Sequence, residues 1–347
     1  MQMGMRARTT GARIAGLAAC VPPRIVDNSV FEQRFGSGAA DVTKMTGVQQ
    51  RHYAEEGVAT SDLCERAAEH LLEKLGWERE SIDGVIFVSQ SPDLLLPATA
   101  CIVQGRMGLR TGIIAYDVSL GCSGYPYGLW QAMMAIQTGA MKRMLLMVGD
   151  ISTRCIDASD RSTAMLFGDA GTVTAIEASD DPSDTSFFVL GSDGNGAENL
   201  MIPRSRQRSP LAEGKLEGRD LDALYMDGGE IFNFTLKSVP PLIRDTFDWA
   251  GETVDSYDVF LLHQANTFMI NHIAKKAKLP KDKVPINMDR FGNTSSATIP
   301  LLMATDVSDL LKTGRRKVSM FGFGVGYSWA AASMEIGPLP CADLVIL

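Results

Sequence analysis

The chain has 347 residues, enough for one large domain or two of ordinary size, and its composition is globular, with 45% hydrophobic and 21% charged residues. A net charge of −8 argues against a general nucleic-acid-binding protein. No apolar run is long enough to span a membrane, and the six cysteines show neither metal-ligand spacing nor a Cys-x-x-Cys pair. These features predict a cytoplasmic protein with reduced thiols and no bound metal.

In the first half of the chain, apolar runs alternate with helical patterns. We expect a frayed start over residues 1–10 and an irregular polar segment over residues 26–46, with a glycine loop at 36–38. The clearest amphipathic helix covers residues 60–75. Further strands and helices are predicted at 13–20, 84–90, 97–107, 112–118, 129–141 and 144–149, and a Gly-Asp turn between two strands at 164–175. This alternation indicates a layered α/β fold.

Cys122 lies between a predicted buried strand and a predicted helix, in a turn flanked by Gly121 and Gly124. Glycines at these positions would permit backbone angles that a side chain forbids. Free backbone N–H groups and the positive end of the helix dipole would point at the sulfur. Such an environment stabilises a thiolate, which is the nucleophilic form of cysteine. A small, buried core cysteine is the alternative interpretation.

The second half of the chain repeats the first in outline. An acidic segment rich in small residues, 178–184, marks the expected boundary between a half at 1–177 and a half at 178–347. Residues 201–222 are polar, and we interpret their charge run, Arg204-Ser-Arg-Gln-Arg208, as a solvated loop, with a partner-binding site as the alternative. Strands and helices are predicted at 187–191, 229–246, 267–278, 302–311, 317–320 and 327–335.

Two polar residues of the second half occupy positions comparable to that of Cys122. His263 ends a short apolar strand, and Asn293 follows a glycine in a turn that opens a helix. Alone, each residue is typical of ordinary strand-end or turn chemistry. Together with Cys122 they form the set of side chains that a cysteine acyl-transfer site needs.

These motifs resemble those of the beta-ketoacyl-[acyl carrier protein] synthase III family. The matching motifs are the Cys122 turn, Phe167-Gly168-Asp169, His263-Gln264-Ala265-Asn266, Gly292-Asn293-Thr294-Ser295 and Gly322-Phe323-Gly324-Val325-Gly326. They follow the family's order and spacing from about residue 14 to residue 336. The resemblance implies a thiolase-like fold, in which two similar halves, 1–177 with the cysteine and 178–347 with His and Asn, form α-β-α-β-α layers.

The resemblance also assigns roles in a decarboxylative Claisen condensation. Cys122 would take an acyl group from a thioester, and the backbone N–H groups of Cys122 and Gly326 would form the oxyanion hole. His263 and Asn293 would both donate hydrogen bonds to a malonyl thioester and stabilise the enolate left by decarboxylation. The product would be a 3-oxoacyl thioester, and no permanently bound cofactor or metal is implied.

The implied substrates are thioesters of coenzyme A or of an acyl carrier protein, and the implied assembly is a homodimer. Arg161 matches a residue that holds the adenine of coenzyme A. Lys275 and Lys276 resemble the basic patch on which the carrier protein docks. Leu96 falls at the acyl pocket near the dimer interface, within the apolar run 94–97.

Several binding positions depart from the family pattern. The tryptophan that stacks on adenine falls near Asp41, unless Phe31 or Phe35 takes its place, and a neighbouring basic residue falls on Met45. Phe268 replaces the basic residue that follows His263-Gln-Ala-Asn266. These changes favour a specialised member with carrier-protein donors. A thiolase, a non-decarboxylating acyltransferase and a catalytically silent partner subunit are the alternatives.

Overall fold

The computed structural model describes residues 2–36, 38–204 and 216–347, which contain fifteen strands and eleven α-helices. The strands are β1 (Met5–Thr10), β2 (Ala12–Val21), β3 (Arg24–Asp27), β4 (Gln50–Tyr53), β5 (Gly84–Val88), β6 (Ile114–Val118), β7 (Arg143–Asp150), β8 (Ala170–Ala178), β9 (Thr185–Ser192), β10 (Leu200–Met201), β11 (Tyr225–Met226), β12 (Val259–Leu262), β13 (Arg316–Gly324), β14 (Ser328–Ile336) and β15 (Ala342–Ile346). The helices are α1 (Ser29–Phe35), α2 (Gly38–Thr46), α3 (Thr60–Leu75), α4 (Thr99–Arg106), α5 (Gly124–Gln137), α6 (Arg161–Ala164), α7 (Gly228–Ala250), α8 (Thr267–Ala277), α9 (Met288–Phe291), α10 (Thr298–Ala304) and α11 (Ser308–Thr313).

Two large mixed sheets organise the described residues. The first sheet has six strands in the order β15-β2-β8-β7-β5-β6, and the second has five in the order β1-β9-β14-β13-β12. In the first sheet β5 pairs in parallel with both β6 and β7, and in the second β12 pairs in parallel with β13. Cys122 follows β6 and His263 follows β12, so each ends a strand of a different sheet.

Helices cover both faces of each sheet. Helices α5 and α10 pack against strands of both sheets and form the central layer, while α3 and α4 cover the outer face of the first sheet. Helix α7 packs on β9, β13 and β14 of the second sheet, and α8 packs on α7. This arrangement confirms the expected α-β-α-β-α layers.

The largest apolar core lies in the central layer. Tyr125 and Leu129 of α5 and Leu301 of α10 are buried there between Val148 of the first sheet and Met320 of the second. Burial of apolar side chains stabilises a fold by roughly 1.5–3 kcal/mol for each fully buried large side chain. The central layer therefore fixes the distance between the two sheets, and with it the separation of the strand ends that carry the polar candidates.

The two chain ends cross the expected division at residue 177. Strand β1 pairs antiparallel with β9 of the second sheet, and β15 pairs in parallel with β2 of the first. The expected frayed start is therefore wrong, because Met5–Thr10 forms an edge strand. That strand has only two apolar residues, Met5 and Ala7, and it is held in place by pairing with Thr185–Ser192. The division into two halves stays a prediction.

The segment 26–46 is helical rather than irregular. Helices α1 and α2 replace the expected polar coil, and the ring of Phe31 is 4% exposed. The Arg51 guanidinium lies 4.7 Å from the centre of that ring. Phe35 stacks on Phe31 with parallel planes. A small local core, which pattern analysis of a polar stretch does not reveal, therefore orders this segment.

Other differences from the predicted elements are local. Helix α3 has the predicted bounds and ends at Gly76, whose φ of 63° suits glycine. The turn at Gly168–Asp169 precedes β8 instead of joining two strands. Arg204 pairs with Asp222 at the surface, whereas the rest of the predicted charge run lies outside the described residues. None of the described helices has the length and apolar character needed to cross a membrane.

Candidate active site

Cys122 lies in the turn between β6 and α5, as predicted, but its glycine neighbours serve a different purpose. A Cβ on Gly121 would lie 2.4 Å from the Gln90 side chain, and one on Gly124 would lie 2.6 Å from Val88. Neither glycine has a positive φ. The expectation of special backbone angles is therefore wrong, and the two glycines instead allow the turn to pack closely on the end of β5.

The Cys122 thiol is buried, and burial dominates its ionisation. Burial and the nearby Asp150 carboxylate raise the pKa of Cys122 to about 12. Backbone N–H groups of Val325 and Cys122 and the Ser295 hydroxyl act in the opposite direction but are weaker. The expected thiolate is thus wrong for the free protein at neutral pH, because desolvation outweighs the local donors. Acylation of Cys122 requires removal of its proton.

One backbone N–H group near the Cys122 sulfur differs from the expected one. The N–H that acts on the sulfur from the glycine-rich loop belongs to Val325, one residue before the expected Gly326. Gly324 makes this approach possible, since a Cβ there would lie 2.9 Å from the Cys122 sulfur. Its φ of 159° is also unusual for a residue with a side chain.

His263 follows β12 and is 2% exposed. Burial lowers its pKa to about 3, so the imidazole is neutral at pH 7. Its Nδ1 atom lies 2.7 Å from the Thr298 hydroxyl oxygen, which in turn lies 3.1 Å from the Ser295 carbonyl oxygen. Because that hydroxyl has one proton, it either donates to Nδ1, leaving the proton on Nε2, or accepts from Nδ1–H while donating to Ser295. Thr298 can therefore support both tautomers.

Asn293 is held by the Phe167-Gly168-Asp169 segment. Its N–H donates to the Leu166 carbonyl at 2.9 Å, and its own carbonyl accepts from the Gly168 N–H at 3.1 Å. The side-chain oxygen accepts from the Ser295 N–H at 2.9 Å. That contact occupies the acceptor end of the amide, so its NH₂ group remains available as a donor, as the expected role requires.

Asp150 and Ser295 support the site and were not found by sequence reasoning. Asp150, at the end of β7, accepts from the Gln90 N–H at 2.7 Å and from the Ser296 hydroxyl at 2.6 Å. It therefore ties the loop after β5 to the turn that carries Ser295. Ser295 has a positive φ of 53°, which is strained for a residue with a side chain. Ser295 ends the quoted Gly292-Asn293-Thr294-Ser295 motif but was given no role, and no motif contained Asp150.

Cys122, His263 and Asn293 line one cavity of about 460 Å³. Its wall is mainly apolar and includes residues of α7, of β10 and β11, and of the N-terminal end of α8. Met45 and Phe268 also line it and are 54% and 52% exposed, so they mark its mouth. Three residues that are far apart in the sequence thus meet around a space that a ligand of moderate size can enter.

The predicted donor-binding residues lie around this mouth. The Arg161 guanidinium lies against Gly38 at the start of α2, and the adjacent Ser162 lines the cavity. Asp41 is exposed on α2. Phe31 is buried beneath Arg51 and cannot stack on a ligand without repacking.

The predicted docking residues lie on α8. Lys275 and Lys276 are exposed in its last turn, and the Lys276 ammonium donates to the Leu236 carbonyl at 3.0 Å. Phe268, near the start of α8, stacks on Phe232 of α7 with ring centres 5.8 Å apart. An aromatic pair thus stands where the resemblance led us to expect a cation.

Leu96 lies outside the residues that line the cavity. Leu94, Leu95 and Leu96 are 54%, 66% and 75% exposed. The nearby strand β6 forms an edge of the six-stranded sheet. An exposed leucine run beside a free sheet edge is typical of a surface that another chain covers.

One cluster among the described residues has the composition of a metal site, and it lies outside the cavity lining. Ligand atoms of His70, Cys341 and Asp343 lie within 4.8 Å of one another. The Asp343 carboxylate already bonds to His70 at 2.8 Å and to the Lys312 ammonium at 2.5 Å. These contacts fasten β15 to α3 and α11 and account for the cluster without a metal.

The sequence of this chain is similar to those of known enzymes. A family model for 3-oxoacyl-[acyl-carrier-protein (ACP)] synthase III matches residues 116–194, and one for the C-terminal part of that enzyme matches residues 247–336. The beta-ketoacyl-[acyl-carrier-protein] synthase III of Syntrophomonas wolfei is 35% identical over 327 residues, covering 94% of this chain and 97% of that protein.

Solved structures agree with the sequence comparison. The crystal structure of 3-oxoacyl-(acyl-carrier protein) synthase from Burkholderia xenovorans LB400 has a TM-score of 0.97 and 50% identity, with 99% of each chain covered. The priming beta-ketosynthase from the R1128 polyketide biosynthetic pathway has a TM-score of 0.81 and 26% identity, covering 94% of this chain and 96% of that one. The chain therefore belongs to the 3-oxoacyl-[acyl-carrier-protein] synthase III family of thiolase-fold condensing enzymes.

Proposed function

We propose that this protein is an acyltransferase that forms an acyl-enzyme on Cys122 and condenses it with a malonyl thioester, with loss of carbon dioxide. The observation that carries the proposal is that Cys122, His263 and Asn293 line one cavity, each at the end of a strand or in a turn. Family membership and the names of its relatives support the same reaction.

In the first half-reaction, the Cys122 sulfur attacks the carbonyl carbon of the acyl thioester. The thiol is protonated before attack, and its proton passes to the neutral Nε2 of His263, while Nδ1–H donates to Thr298. The tetrahedral intermediate then collapses, and the leaving thiolate takes the proton from the imidazolium. The net change is exchange of one thioester for another, with every proton accounted for.

The oxyanion of that intermediate is stabilised by the backbone N–H groups of Cys122 and Val325. Both act on the position of the sulfur, which supports assigning Val325 rather than Gly326 as the second donor. One such donor contributes about 3–4 kcal/mol to transition-state stabilisation.

In the second half-reaction, His263 and Asn293 bind the carbonyl oxygen of the malonyl thioester. The Asn293 NH₂ group donates, because its oxygen is occupied by the Ser295 N–H. The His263 Nε2–H donates when the Thr298 hydroxyl donates to Nδ1. Loss of carbon dioxide leaves an enolate at this oxygen, and its carbon attacks the acyl-Cys122 carbonyl. The Cys122 thiolate is expelled and takes up one proton from solvent, which restores the thiol.

The test is release of carbon dioxide. Labelled malonyl thioester should lose carbon dioxide and yield a 3-oxoacyl thioester when the wild-type protein has first been acylated. Acyl transfer to an alcohol or amine with no carbon dioxide released would instead establish the non-decarboxylating alternative. A protein that neither takes up an acyl group nor decarboxylates malonyl thioester would be a silent partner subunit.

The proposed donors are thioesters on a carrier protein or on coenzyme A, and we place the protein in the cytoplasm. Lys275 and Lys276, exposed in the last turn of the helix whose start lines the cavity, provide positive charge for an acidic partner, and Arg161 precedes the cavity-lining Ser162. Met45 and Phe268 are apolar where the resemblance led us to expect cations. This favours a specialised biosynthetic role with carrier-protein donors, and similarity to a polyketide priming enzyme supports it.

The proposed assembly is a homodimer formed through the leucine run 94–96 and the β6 edge. The exposed leucines support it, because apolar surface of this kind is costly on a monomer. Leu96 would then reach the partner's cavity. Light scattering at micromolar concentration should report a dimer. Leu95→Asp should produce monomers, whereas Ile25→Asp, at another exposed apolar position, should not.

A further inference from the structure

Thr235 of α7 is a polar residue in the apolar wall of the cavity. Its side chain lines the cavity and is fully buried, and its hydroxyl has no hydrogen-bond partner among the described residues. Its neighbours in that wall include Ile231 and Phe232, one helical turn away, and Met269 of α8. A buried hydroxyl without a partner is costly, because the group has lost its hydrogen bonds to water.

Five threonines in or directly after helices of this chain avoid that cost in a simple way. Each donates its hydroxyl proton to the carbonyl of the residue four positions earlier, at 2.7–3.1 Å, and they are Thr43, Thr46, Thr246, Thr305 and Thr313. Thr246 lies on the same helix as Thr235. Thr235 makes no such bond to Ile231. Its hydroxyl is therefore left without the bond that would tie it to its own helix, in a residue that lines the cavity.

The position of Thr235 along the cavity indicates which part of a bound ligand its hydroxyl can contact. Phe232 is half-buried and stacks on Phe268 at the mouth, while Thr235 is one turn further along the helix and fully buried. Thr235 thus lies deeper in the cavity than the mouth, beside the path of a chain that enters the cavity.

The arm that carries a thioester on either coenzyme A or a carrier protein is pantetheine, a narrow chain with two amide groups. A hydroxyl can donate to an amide carbonyl or accept from an amide N–H.

We propose that the Thr235 hydroxyl is a hydrogen-bond partner for an amide of the pantetheine arm and raises selectivity for thioesters that have it. This inference rests on the proposed function. The bond forms in the bound complex and satisfies a group that is unpaired in the free protein. Its effect is on capture of the thioester and not on the chemistry at Cys122.

The experiment measures the second-order rate constant for acylation of Cys122 by intact mass. The acyl group that labels wild-type protein fastest is presented on pantetheine and, in parallel, on propanethiol, which has no amide. Thr235→Val keeps the shape and removes the hydroxyl. It should lower the rate constant for the pantetheine thioester about 3- to 10-fold, the range of one ordinary hydrogen bond, and leave that for the propanethiol thioester unchanged. The melting temperature of the free variant should equal or exceed that of the wild type.

Thr246→Val is the matched control, because Thr246 is equally buried on α7, makes the ordinary bond to Leu242 and lies outside the cavity lining. It should lower the melting temperature and change neither rate constant. Equal pantetheine rate constants for wild type and Thr235→Val, or an equal loss with both thioesters, would overturn the inference while the proposed function stands. Wild-type protein that no thioester acylates would overturn both.

Discussion

The floor and the mouth of the cavity are built differently. At the floor, polar groups around Cys122, His263 and Asn293 are fixed by hydrogen bonds to residues from several elements, including Thr298 and Ser295. At the mouth, exposed apolar and aromatic side chains line the entrance, and few of their contacts are directional. A network of hydrogen bonds tolerates little displacement, whereas apolar walls accept different shapes. In the proposed function, the floor sets the reaction and the mouth sets which donor reaches it.

Removing the nucleophile is the strongest test of the floor. Cys122→Ala should abolish uptake of an acyl group and all condensation, although Cys155 also lines the cavity, because Cys122 is the cysteine on whose sulfur the backbone N–H groups act. Intact mass after exposure to acyl thioesters should show one added acyl group in the wild type and none in the variant. Cys101→Ala, at an exposed position outside the cavity, should label normally. A label mapped to Cys101 or Cys155 would refute the assignment.

The next largest expected effect is the pH dependence of the rate at which Cys122 is alkylated. Burial raises the pKa of this thiol to about 12, so the protonated form predominates through neutral pH. Below its pKa the thiolate fraction rises about tenfold per pH unit, so alkylation of Cys122 by iodoacetamide should accelerate about 1000-fold from pH 7 to pH 10. Peptide mapping follows Cys122 alone. A rate that levels off near pH 8 would indicate a stabilised thiolate instead.

Asn293 separates the two half-reactions at the floor. Asn293→Ala should leave acylation of Cys122 nearly unchanged and lower decarboxylation of malonyl thioester about 100- to 1000-fold, the effect of removing one donor to a developing oxyanion. Acyl uptake by intact mass and carbon dioxide release from labelled malonyl thioester are measured on the same preparation. Condensation at the wild-type rate would disprove the decarboxylative role.

At the mouth, the expected effects are smaller and fall on KM. Phe268→Arg should raise kcat/KM for phosphorylated coenzyme A donors about 3- to 10-fold at low salt, and high salt should remove the gain. The wild type should prefer a carrier-protein donor with the same acyl group. Asn271→Arg adds the same charge on the exposed face of α8, outside the cavity lining, and should gain less. A fall in kcat in Phe268→Arg would show that the mouth also acts on the chemistry.

The sequence predicted the floor better than its supports. Cys122, His263 and Asn293 were singled out because their motifs together match a known family, although each motif alone is ordinary and spacing could not show that the three residues meet. For the second donor of the oxyanion hole, Gly326 was predicted instead of Val325. Every residue except proline has a backbone N–H, so the sequence does not show which one acts as a donor. Asp150 offered no signal beyond a carboxylate at a strand end.

Secondary-structure prediction failed for segments that are stabilised by contacts with residues far away in the sequence or hidden in a polar stretch. Helix α3 was predicted with its observed bounds, since an amphipathic pattern and a terminal glycine are local signals. Strand β1 was predicted as frayed and β15 was not predicted, because each is an edge strand whose partner is far away in the sequence. Helices α1 and α2 depend on a local core around Phe31 and Arg51 that a polar sequence hides.

The crossing of the two terminal strands has a consequence for biosynthesis. Strand β2 leaves the ribosome well before β15, which covers its edge, and β1 must likewise wait for β9. The first sheet is therefore incomplete until Ala342–Ile346 has been translated, and its exposed edge is a site for pairing with other nascent chains. Truncation of the last six residues, which removes β15 from Ala342 onward, should leave a product that needs chaperones or aggregates during synthesis, although every proposed catalytic residue is retained.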